Sequence, residues 1–419
     1  MVERFFARRS TAERMRSGPL GPYVDEFAQR LVEQGYTREN ISRKIRLVAD
    51  LSRWLAGRRM GPTNLNERRL ALFLQQRCLT LPNYCGERPA LQQFLAQLRT
   101  LGVTSGPCPE AIHTERQRVI AAYAQYLSQE RALAPLTVKQ QLAYIRRFLS
   151  ECFGGKRVRC EALKPADIGK HLLRHNNTSC PRGPQAIASA LRTFLRFLYI
   201  RGIIDTDLTG AVPRVAHWHL AGVPKFLTAE QIESLLQNCD QDTTLGQRDY
   251  TVLLLLARLG LRAGEVVRME LGDIDWSAGE LTVRGKARQH DQMPLPMEVG
   301  EALTTYLRHG RPRCATRRVF VRMHAPHRGF QTSGAINYLV SKAIDRAGLE
   351  PVHKGARLLR QSLATYMLHQ GTPLAQIGEV LRHRDIESTA LYAKVDIHAL
   401  RALAPPWPGN WHERTTATS

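Results

Sequence analysis

Apolar residues recur every three to four positions along most of this chain, which is the spacing of helices that bury one face. Up to about residue 105 the spacing is carried by Phe27, Leu31, Ile41, Ile45, Val48, Leu51, Trp54 and Leu55. In the next hundred residues it is carried by Ile120, Tyr123, Leu127, Leu142, Ile145, Phe148 and Leu149. A Gly-, Pro- and Cys-rich joint at residues 102–109 separates the two stretches. The pattern predicts two helical modules, residues 1–105 and residues 112–213.

The two predicted modules are alike in sequence. Residues 23–34 read YVDEFAQRLVEQ and residues 119–130 read VIAAYAQYLSQE, and each stretch is followed by a predicted helix that ends in RWL or RFL. We interpret this likeness as a diverged duplication of one helical module. Two copies are too few for a solenoid.

A third region follows a second joint at residues 213–224. Thr228 and Gln231 have the spacing of a capping box, which opens a helix. The leucine-rich segment 249–259 predicts a buried helix. This region, residues 224–419, is long enough to bury a core of its own.

Alternation of apolar and polar residues at 280–284 and 292–295 predicts two short strands joined by a turn at Gly285 and Lys286. Beyond them the pattern is helical again to about Leu403. The predicted fold class is therefore mainly α, with a small β-sheet in the C-terminal domain.

The charge balance favours a polyanionic partner. Sixty Lys and Arg residues oppose 37 Asp and Glu residues, which gives a formal charge of +23 over 419 residues. Such a field favours nucleic acid as the partner. Only ten of the basic residues are Lys, however, and an Arg-rich count also arises from a GC-rich genome. Charge alone therefore does not establish DNA binding.

Neither a membrane span nor a secretory signal is predicted. The longest apolar run, at residues 252–257, is far shorter than the ~20 residues of a spanning helix. Residues 1–18 are basic and lack the apolar core of a signal peptide. The eight Cys residues form no CxxC pair, which fits a reducing compartment. We expect a cytoplasmic protein.

Two pairs of potential metal ligands have simpler interpretations. Asp273 and Asp275 could be the carboxylates of a metal-dependent nuclease, but a turn ahead of the strand at 280 accounts for them without a third acidic partner. His324 and His327 could hold a metal, but no Cys or acidic residue is near them in sequence. The chain also has no P-loop motif. We expect neither a metal nor a cofactor.

One set of residues near the C-terminus combines permanent cations with a Lys, a His and a Tyr: Arg262, Lys286, Arg357, Arg360, His383 and Tyr392. A phosphodiester is an anion, and its pentavalent transition state carries still more charge. Guanidinium groups stabilise that charge through planar, bidentate hydrogen bonds. A Lys can protonate a leaving oxygen, and a phenol can attack phosphorus. The set favours phosphoryl transfer that needs no metal-activated water.

Structural roles for the same residues stay open at this point. Arg262 or Arg360 could form a buried ion pair with Glu265 or Asp273, which lie close in sequence to Arg262. Tyr392 could be a core aromatic on an apolar helix.

Three segments resemble the motifs of the tyrosine recombinase family, the phage-integrase type. GLRAGE at residues 260–265 is similar to the box that holds the family's first Arg. LLRQSLAT at 358–365 is similar to the box of the second Arg, and LRHRDIESTALYAKV at 381–395 to the His-to-Tyr box. Each box alone is weak, and their order along the chain makes the resemblance specific.

The spacing between the boxes also resembles the family's pattern. Lys286 follows Arg262 by 24 residues. His383 follows Arg360 by 23 residues, and Tyr392 follows His383 by nine. The resemblance covers about residues 112–407.

The resemblance implies a function and a mechanism. Tyr392 would attack a DNA phosphate and form a 3′-phosphotyrosyl bond. The three arginines of the set and His383 would stabilise the pentavalent phosphate, and Lys286 would protonate the leaving 5′-oxygen. The expected protein is a site-specific DNA recombinase or integrase, a DNA strand transferase that serves integration, excision or transposition of mobile DNA.

The resemblance also implies how the protein meets DNA. Residues 112–213 would be a core-binding module that clamps double-stranded DNA opposite the catalytic domain. Its expected DNA-binding residues are Thr137, Lys139, Gln140, Arg146, Arg147, Arg192 and Arg196. Four protomers would assemble on two DNA sites, with a tail helix after Tyr392 packed on a neighbour. Residues 1–105 lie outside the family's two-domain core. They are either an additional module for DNA binding or assembly, or helices with a packing role alone.

Two positions depart from the family's pattern. Arg357 stands where the family has His or Lys, and Arg382 stands where a Gly usually precedes the motif's His. Arginine cannot act as a general base at neutral pH, although it can hydrogen-bond a phosphate. Two alternatives therefore stay open: a DNA-binding protein with impaired catalysis, and a topoisomerase-IB-like relaxer that uses the same tyrosine.

Overall fold

The computed structural model describes residues 1–78, 86–106, 114–154, 157–175, 183–214, 225–285, 290–383 and 386–393. The helices in these residues are α1 (Arg9–Met15), α2 (Val24–Glu33), α3 (Arg38–Ala56), α4 (Glu67–Cys78), α5 (Glu87–Thr100), α6 (Glu115–Gln125), α7 (Pro135–Phe153), α8 (Pro165–Arg174), α9 (Gly183–Ile200), α10 (Ala229–Gln237), α11 (Thr244–Arg258), α12 (Ala263–Arg268), α13 (Met297–Thr305), α14 (Ser333–Arg346), α15 (Ala356–His369), α16 (Leu374–Val380) and α17 (Ile386–Ala393). The strands are β1 (Ile274–Asp275), β2 (Glu280–Arg284) and β3 (His290–Pro294). The predicted fold class, mainly α with a small sheet, is confirmed.

The chain divides into two compact units. One unit combines residues 1–104 with the C-terminal region of the chain, and the other lies within residues 105–219. The first residues of the chain therefore pack with the region that carries the six candidate catalytic residues. The three predicted domains, 1–105, 112–213 and 224–419, stay a prediction.

Residues 1–104 are built on helices whose apolar stripes were visible in the sequence. Phe27 and Leu31 of α2 are fully buried, as is Ile45 of α3. Phe27 packs edge-on against Phe94 of α5, with 5.0 Å between ring centroids. The helical periodicity predicted here is confirmed.

The second unit, helices α6 to α9, has an aromatic core. Tyr123 of α6 lies edge-on to Phe194 of α9 at 5.0 Å between ring centroids. The stripe Leu142, Ile145, Phe148 and Leu149 buries one face of α7. The opposite face of α7 is consequently left to solvent.

The C-terminal region begins with the capping box that the sequence predicted. The Thr228 hydroxyl accepts from the Gln231 amide at 3.3 Å, and the Gln231 side chain accepts from the Thr228 amide at 3.0 Å. Helix α11 follows and is buried along its whole leucine run, residues 252–256. It forms the centre of the largest apolar core.

The predicted pair of strands is present and is extended by a third. The sheet order is β1-β2-β3, and both pairs are antiparallel, with Leu281 opposite Ile274 on one side and Met293 on the other. Strand β3 starts at His290, two residues earlier than predicted.

The prediction of continuous helix after the sheet is wrong for residues 311–332. The Arg311 guanidinium donates to the carbonyls of Thr316 at 2.7 Å and Arg318 at 2.9 Å, which holds this segment as a loop. The Val319 amide donates to the Met269 carbonyl at 2.9 Å. These bonds satisfy main-chain groups that a helix would have paired internally. The rest of the predicted helical stretch, beyond residue 393, lies outside the described residues.

No helix among the described residues has the length and apolarity needed to cross a bilayer. The cytoplasmic location stays a prediction.

Asp273 and Asp275 have separate structural roles, and only that of Asp275 is the predicted turn. The buried Asp273 carboxylate accepts from Arg284 Nε at 2.8 Å and Nη2 at 2.6 Å. Asp275 is exposed and accepts from the amides of Ser277 and Ala278 in the turn between β1 and β2.

Removing the Asp273 carboxylate should lower the free energy of unfolding more than removing the Asp275 carboxylate does. Asp273→Ala removes two hydrogen bonds from Arg284 and one from the Glu270 amide to a buried carboxylate, and we expect a loss of about 3 kcal/mol in the free energy of unfolding. Asp275→Ala removes only turn hydrogen bonds and should cost about 1 kcal/mol. Urea unfolding of the two variants measures the difference, and equal losses would contradict these separate roles.

Candidate active site

Among the three candidate catalytic arginines, Arg360 is the most deeply buried. It lies on α15 and is 7% exposed, and its guanidinium donates to the carbonyls of Gly260 and Leu381. Burial lowers the pKa of Arg360 to about 10, and repulsion from Arg262 adds to this. Its contacts join the connection before α12 to the end of α16.

Arg262 lies next to that connection and stays half-exposed. It is the residue before the first turn of α12, and its Nη1 donates to Glu265 Oε1 at 2.7 Å. Its Nη2 donates to the carbonyl of Arg382 at 3.0 Å. The side chain is 46% exposed, so the guanidinium can still meet a ligand from solvent.

Among the described residues, Glu265 is the carboxylate that pairs with both Arg262 and Arg382. Its side chain is 3% exposed, and it also accepts from Arg382 Nη2 at 3.1 Å. Burial raises the pKa of Glu265, but the hydrogen bonds from Arg262 and the charges of Arg262 and Arg382 outweigh burial and lower it overall. The ion pair of Arg262 with Glu265 is therefore real, whereas Arg360 binds main-chain carbonyls.

Arg382 fills the position where a glycine was expected, and its backbone is in the left-handed region, with φ of 53°. Its guanidinium turns inward, to Glu265 and to the Met293 sulfur at 3.3 Å. The departure from the family's pattern thus adds an internal cation next to the site. Left-handed backbone is the conformation that glycine adopts most easily.

His383, which follows α16, and Tyr392, on α17, have facing rings. Their rings are nearly parallel, at 6° and 6.2 Å between centroids. His383 Nδ1 shares a hydrogen bond of 2.8 Å with the Thr389 hydroxyl on α17. Burial, and then the charges of Arg360, Arg262 and Arg382, lower the pKa of His383 to about 4. The imidazole is therefore neutral near pH 7.

Tyr392 is 4% exposed and packs on Ala364, Ile377 and Leu381. Burial raises the pKa of the phenol, while the charges of Arg360, Arg357 and Arg262 oppose that rise. The core-aromatic and the nucleophile interpretations are thus compatible, since the ring is packed and lies within the field of the arginines.

The remaining two candidates are Arg357 and Lys286. Arg357 is exposed on α15, one helical turn before Arg360, and it acts on Tyr392 through its charge. Lys286 lies outside the described residues.

The sequence of the chain shows its kinship directly. A profile of the phage integrase family matches residues 225–398. The integrase/recombinase y4rA of Sinorhizobium fredii is 38% identical over 397 residues, which cover 94% of this chain and 95% of that protein. The chain belongs to the phage integrase family, the tyrosine recombinases. The tyrosine recombinase XerD of Lacticaseibacillus casei is 30% identical over 299 residues and covers 68% of this recombinase and 96% of its own length.

Solved structures show the same fold at low identity. The XerH recombinase in a post-cleavage complex with palindromic difH substrate is 16% identical, with a TM-score of 0.53 over 80% of this chain and 94% of that one. A lambda integrase tetramer bound to a Holliday junction is 17% identical, with a TM-score of 0.51 over 72% of this chain and 86% of that one. These likenesses bear on the fold of this recombinase.

Family membership confirms the prediction of a site-specific DNA recombinase, with DNA strand transfer as its general activity. It favours neither the relaxer nor the DNA-binding protein without catalysis.

The predicted DNA-binding residues of the recombinase lie on α7 and α9. Lys139, Gln140, Arg146 and Arg147 are exposed opposite the buried stripe of α7, with Thr137 partly buried at its start. Arg196 is exposed on α9, whereas Arg192 donates to the Pro213 carbonyl at 2.7 Å. Arg147 pairs with Glu151 at 3.1 Å.

A second basic surface lies in the unit that holds the candidate active site. A cleft of about 1240 Å³ opens between α3 and the loop 322–328, where the His327 amide donates to the Gln34 carbonyl at 3.1 Å. Its described lining includes two acidic residues, Asp50 and Glu87, against a larger set of cations: Arg14, Arg43, Lys44, Arg46, Arg53, Arg77, Arg322 and Arg328. We call this surface the basic cleft.

His327 of the HxxH pair lies on the lining of the basic cleft. His327 Nδ1 pairs with the Arg322 carbonyl at 3.1 Å, within the loop that borders the cleft. Across the described ranges, neither His324 nor His327 belongs to a group of three potential metal ligands.

Sequence reasoning missed three contributors to the site. The sequence marks Arg382 only as a departure from the family's pattern, whereas in the structure it is an internal partner of Glu265. Thr389, which orients His383, has no local sequence signal. The shared role of Glu265 was detectable only as its i,i+3 spacing from Arg262, the spacing of a capping pair.

Two substitutions at position 382 separate backbone strain from the ion pair. Arg382→Gly and Arg382→Ala both delete the contact with Glu265, but only Gly tolerates φ of 53° without strain. We expect the Gly variant to be more stable than the Ala variant by about 1 kcal/mol, measured by denaturant unfolding. An Ala variant as stable as the Gly variant would mean that no strain is stored there.

Proposed function

We propose that this recombinase cleaves and rejoins DNA by transesterification at Tyr392. The observation that carries the proposal is the convergence of the phenol, a neutral imidazole and three arginine charges at one place. These groups come from the start of α12 and, about 100 residues further along the chain, from α15 and the α16–α17 region. Together they provide a nucleophile and an oxyanion-stabilising field at one phosphate.

In the proposed reaction the Tyr392 oxygen attacks a DNA phosphorus atom and loses its proton. The P–O5′ bond breaks, a 3′-phosphotyrosyl bond forms, and the 5′-oxygen leaves as a hydroxyl after it takes up a proton. Lys286 is the proposed donor of that proton. The 5′-hydroxyl of a partner strand then attacks the phosphotyrosine and restores the phenol, so the bond count is unchanged and no ATP is consumed.

The charges of the site support the binding of a DNA phosphate, because the arginines there outnumber the carboxylates among the described residues. Among the described residues, Arg262 and Arg382 share the buried carboxylate of Glu265, while Arg360 beside them is held by the neutral carbonyls of Gly260 and Leu381. Preorganised donors of this kind stabilise developing negative charge because they need little reorganisation. Arg357, exposed beside them, would bind a non-bridging or neighbouring phosphate oxygen as a permanent donor and not as a base.

His383 would act in its neutral form. With its pKa near 4, the ring does not carry a charge at neutral pH, and Thr389 fixes its orientation. A bound phosphate would raise that pKa through its negative charge. The imidazole could then accept a proton within the complex more readily than in the free protein.

A nicked duplex carrying the recombination site tests the proposal. Cleavage near the nick releases a short 5′-hydroxyl strand, so the covalent protein–DNA complex accumulates and appears as a retarded band in a denaturing gel. We expect this band in the wild type and none in Tyr392→Phe. Tyr366→Phe is the matched control, because Tyr366 is 52% exposed on α15, and it should give the wild-type band. Tight DNA binding with no covalent band in the wild type would contradict the proposal.

Two further observations distinguish the competing activities. A plasmid with two sites should yield recombinant products, whereas a relaxer would change only the supercoiling. EDTA should leave the covalent band unchanged, whereas a metal-dependent nuclease would lose activity. By analogy with the lambda integrase tetramer on a Holliday junction, we propose that four protomers hold the two sites.

We propose two phosphate-binding surfaces for the duplex. The exposed face of α7 and α9 would follow the backbone in the second unit, as its row of cations indicates. The basic cleft would bind backbone phosphates in the first unit, which gives residues 1–104 a direct part in DNA binding. Phosphate contacts of this kind position the protein and carry no base information.

Salt dependence measures the contribution of the basic cleft. With six or more phosphates neutralised, affinity should fall by roughly 10³-fold between 50 and 200 mM salt. The double variant Arg322→Glu/Arg328→Glu should lower the slope of log K against log salt by about 2, one for each lost phosphate contact. The control Arg308→Glu/Arg313→Glu makes the same charge change at exposed positions outside the cleft and should alter the slope less. Equal slopes in the two double variants would remove the cleft from the proposal.

A further inference from the structure

Helices α7 and α8 bring two histidines and a glutamate together within residues 105–219, the unit that does not contain the candidate active site. His171 Nδ1 lies 2.8 Å from Glu151 Oε2, and His175 Nε2 lies 2.8 Å from Glu151 Oε1. The three ligand atoms are all within 4.8 Å of one another. Neither the predicted DNA-binding surface nor the proposed reaction uses any of the three.

The local sequence explains why the group forms. His171 and His175 are four residues apart on α8, so they lie on one face of the helix, one turn apart. Their rings meet edge-on at 4.6 Å between centroids. Glu151 is in the last turn of α7, whose buried Phe148 packs edge-on against His171 at 5.2 Å. The group is therefore held by the same core that joins the two helices.

The two histidines of this group are buried, and the glutamate is partly exposed. The side chains of His171 and His175 are 3% and 8% exposed, and that of Glu151 is 23% exposed. Two imidazoles and one carboxylate are the ligands that zinc and its neighbours in the first transition series prefer, whereas calcium and magnesium prefer oxygen alone. Partial exposure of Glu151 leaves a path for a cation and for a water ligand.

The distances are close to those of a tetrahedral site. Zinc bonds of about 2.0–2.2 Å place neighbouring ligand atoms roughly 3.3 Å apart. Here each imidazole nitrogen lies 2.8 Å from a carboxylate oxygen, and the three ligand atoms lie within 4.8 Å of one another. Each imidazole can stay neutral when it binds, because its proton moves to the other ring nitrogen. Small rotations of the three side chains are sufficient.

Arg147 is the present cationic neighbour of the carboxylate, at 3.1 Å from Glu151 Oε1. Its side chain is 59% exposed, so it can leave this oxygen to a metal without becoming buried and unpaired. Arg147 would then be released on the face of α7 that carries the predicted DNA-binding residues.

We propose that Glu151, His171 and His175 form a binding site for a divalent transition-metal ion of the zinc type. The ion takes one nitrogen from each imidazole and one or two carboxylate oxygens, with water completing its shell. It ties the end of α7 to α8 and so fixes the helix that carries Lys139, Gln140 and Arg146. The site is independent of the proposed chemistry at Tyr392 and is tested without DNA.

The test measures zinc and cobalt binding to the full-length, untagged protein. Equilibrium dialysis against Zn²⁺ should show one more ion per chain in the wild type than in Glu151→Gln, with affinity at this site at least ~100-fold weaker in the variant, since even the loss of a supporting group costs 10–100-fold. His175→Gln should behave as Glu151→Gln does. His309→Gln is the matched control, because His309 is exposed in the other unit, and it should bind as the wild type does.

A second readout depends on the wild type alone. Co²⁺ bound to two imidazoles and a carboxylate should give visible d–d absorption without the near-ultraviolet band of a cobalt–thiolate bond. Zn²⁺ should also raise the thermal unfolding midpoint of the wild type, because the ion binds the folded state. A wild type that binds no more zinc than Glu151→Gln, or a cobalt spectrum with a thiolate band, would overturn the proposal and leave Glu151 as a hydrogen-bonded link between two histidines.

Discussion

The geometry of the candidate active site depends on one buried cation, the guanidinium of Arg360. Burying a charge costs several kcal/mol unless hydrogen bonds compensate it. Arg360 is compensated by the carbonyls of Gly260 and Leu381, which belong to two separate connections. Arg262 follows the first of these carbonyls by two residues, and His383 follows the second by two. Satisfying one buried arginine therefore places an exposed arginine and a histidine on either side of it.

The same cluster is electrostatically incomplete, and this connects structure to activity. Glu265 is the carboxylate shared by Arg262 and Arg382, while Arg360 is held by neutral carbonyls. The resulting field lowers the pKa of His383 and opposes the rise that burial imposes on the pKa of Tyr392. In the proposed mechanism, a DNA phosphate supplies the missing negative charge at the place where the phenol reacts. In this account DNA binding itself completes the site.

Much of this architecture was predictable because it is set by local patterns. The capping box at Thr228, the buried leucine helix and the β2 strand each follow from a few neighbouring residues, and the structure contains all three. Contacts between distant segments were not predictable in this way. The inward turn of Arg382 depends on a buried carboxylate 117 residues earlier. Likewise the His-x₃-His spacing on α8 was readable, but its partner Glu151 lies on another helix.

The central claim is that Tyr392 forms the covalent bond to DNA, and peptide mapping tests it most directly. The covalent complex trapped on nicked DNA is digested with nuclease and trypsin, and the peptide that retains a nucleotide is identified by mass spectrometry. The tryptic peptide of residues 385–394 contains one tyrosine, Tyr392. The account predicts a nucleotide attached to that tyrosine. A nucleotide found on any other residue would contradict it.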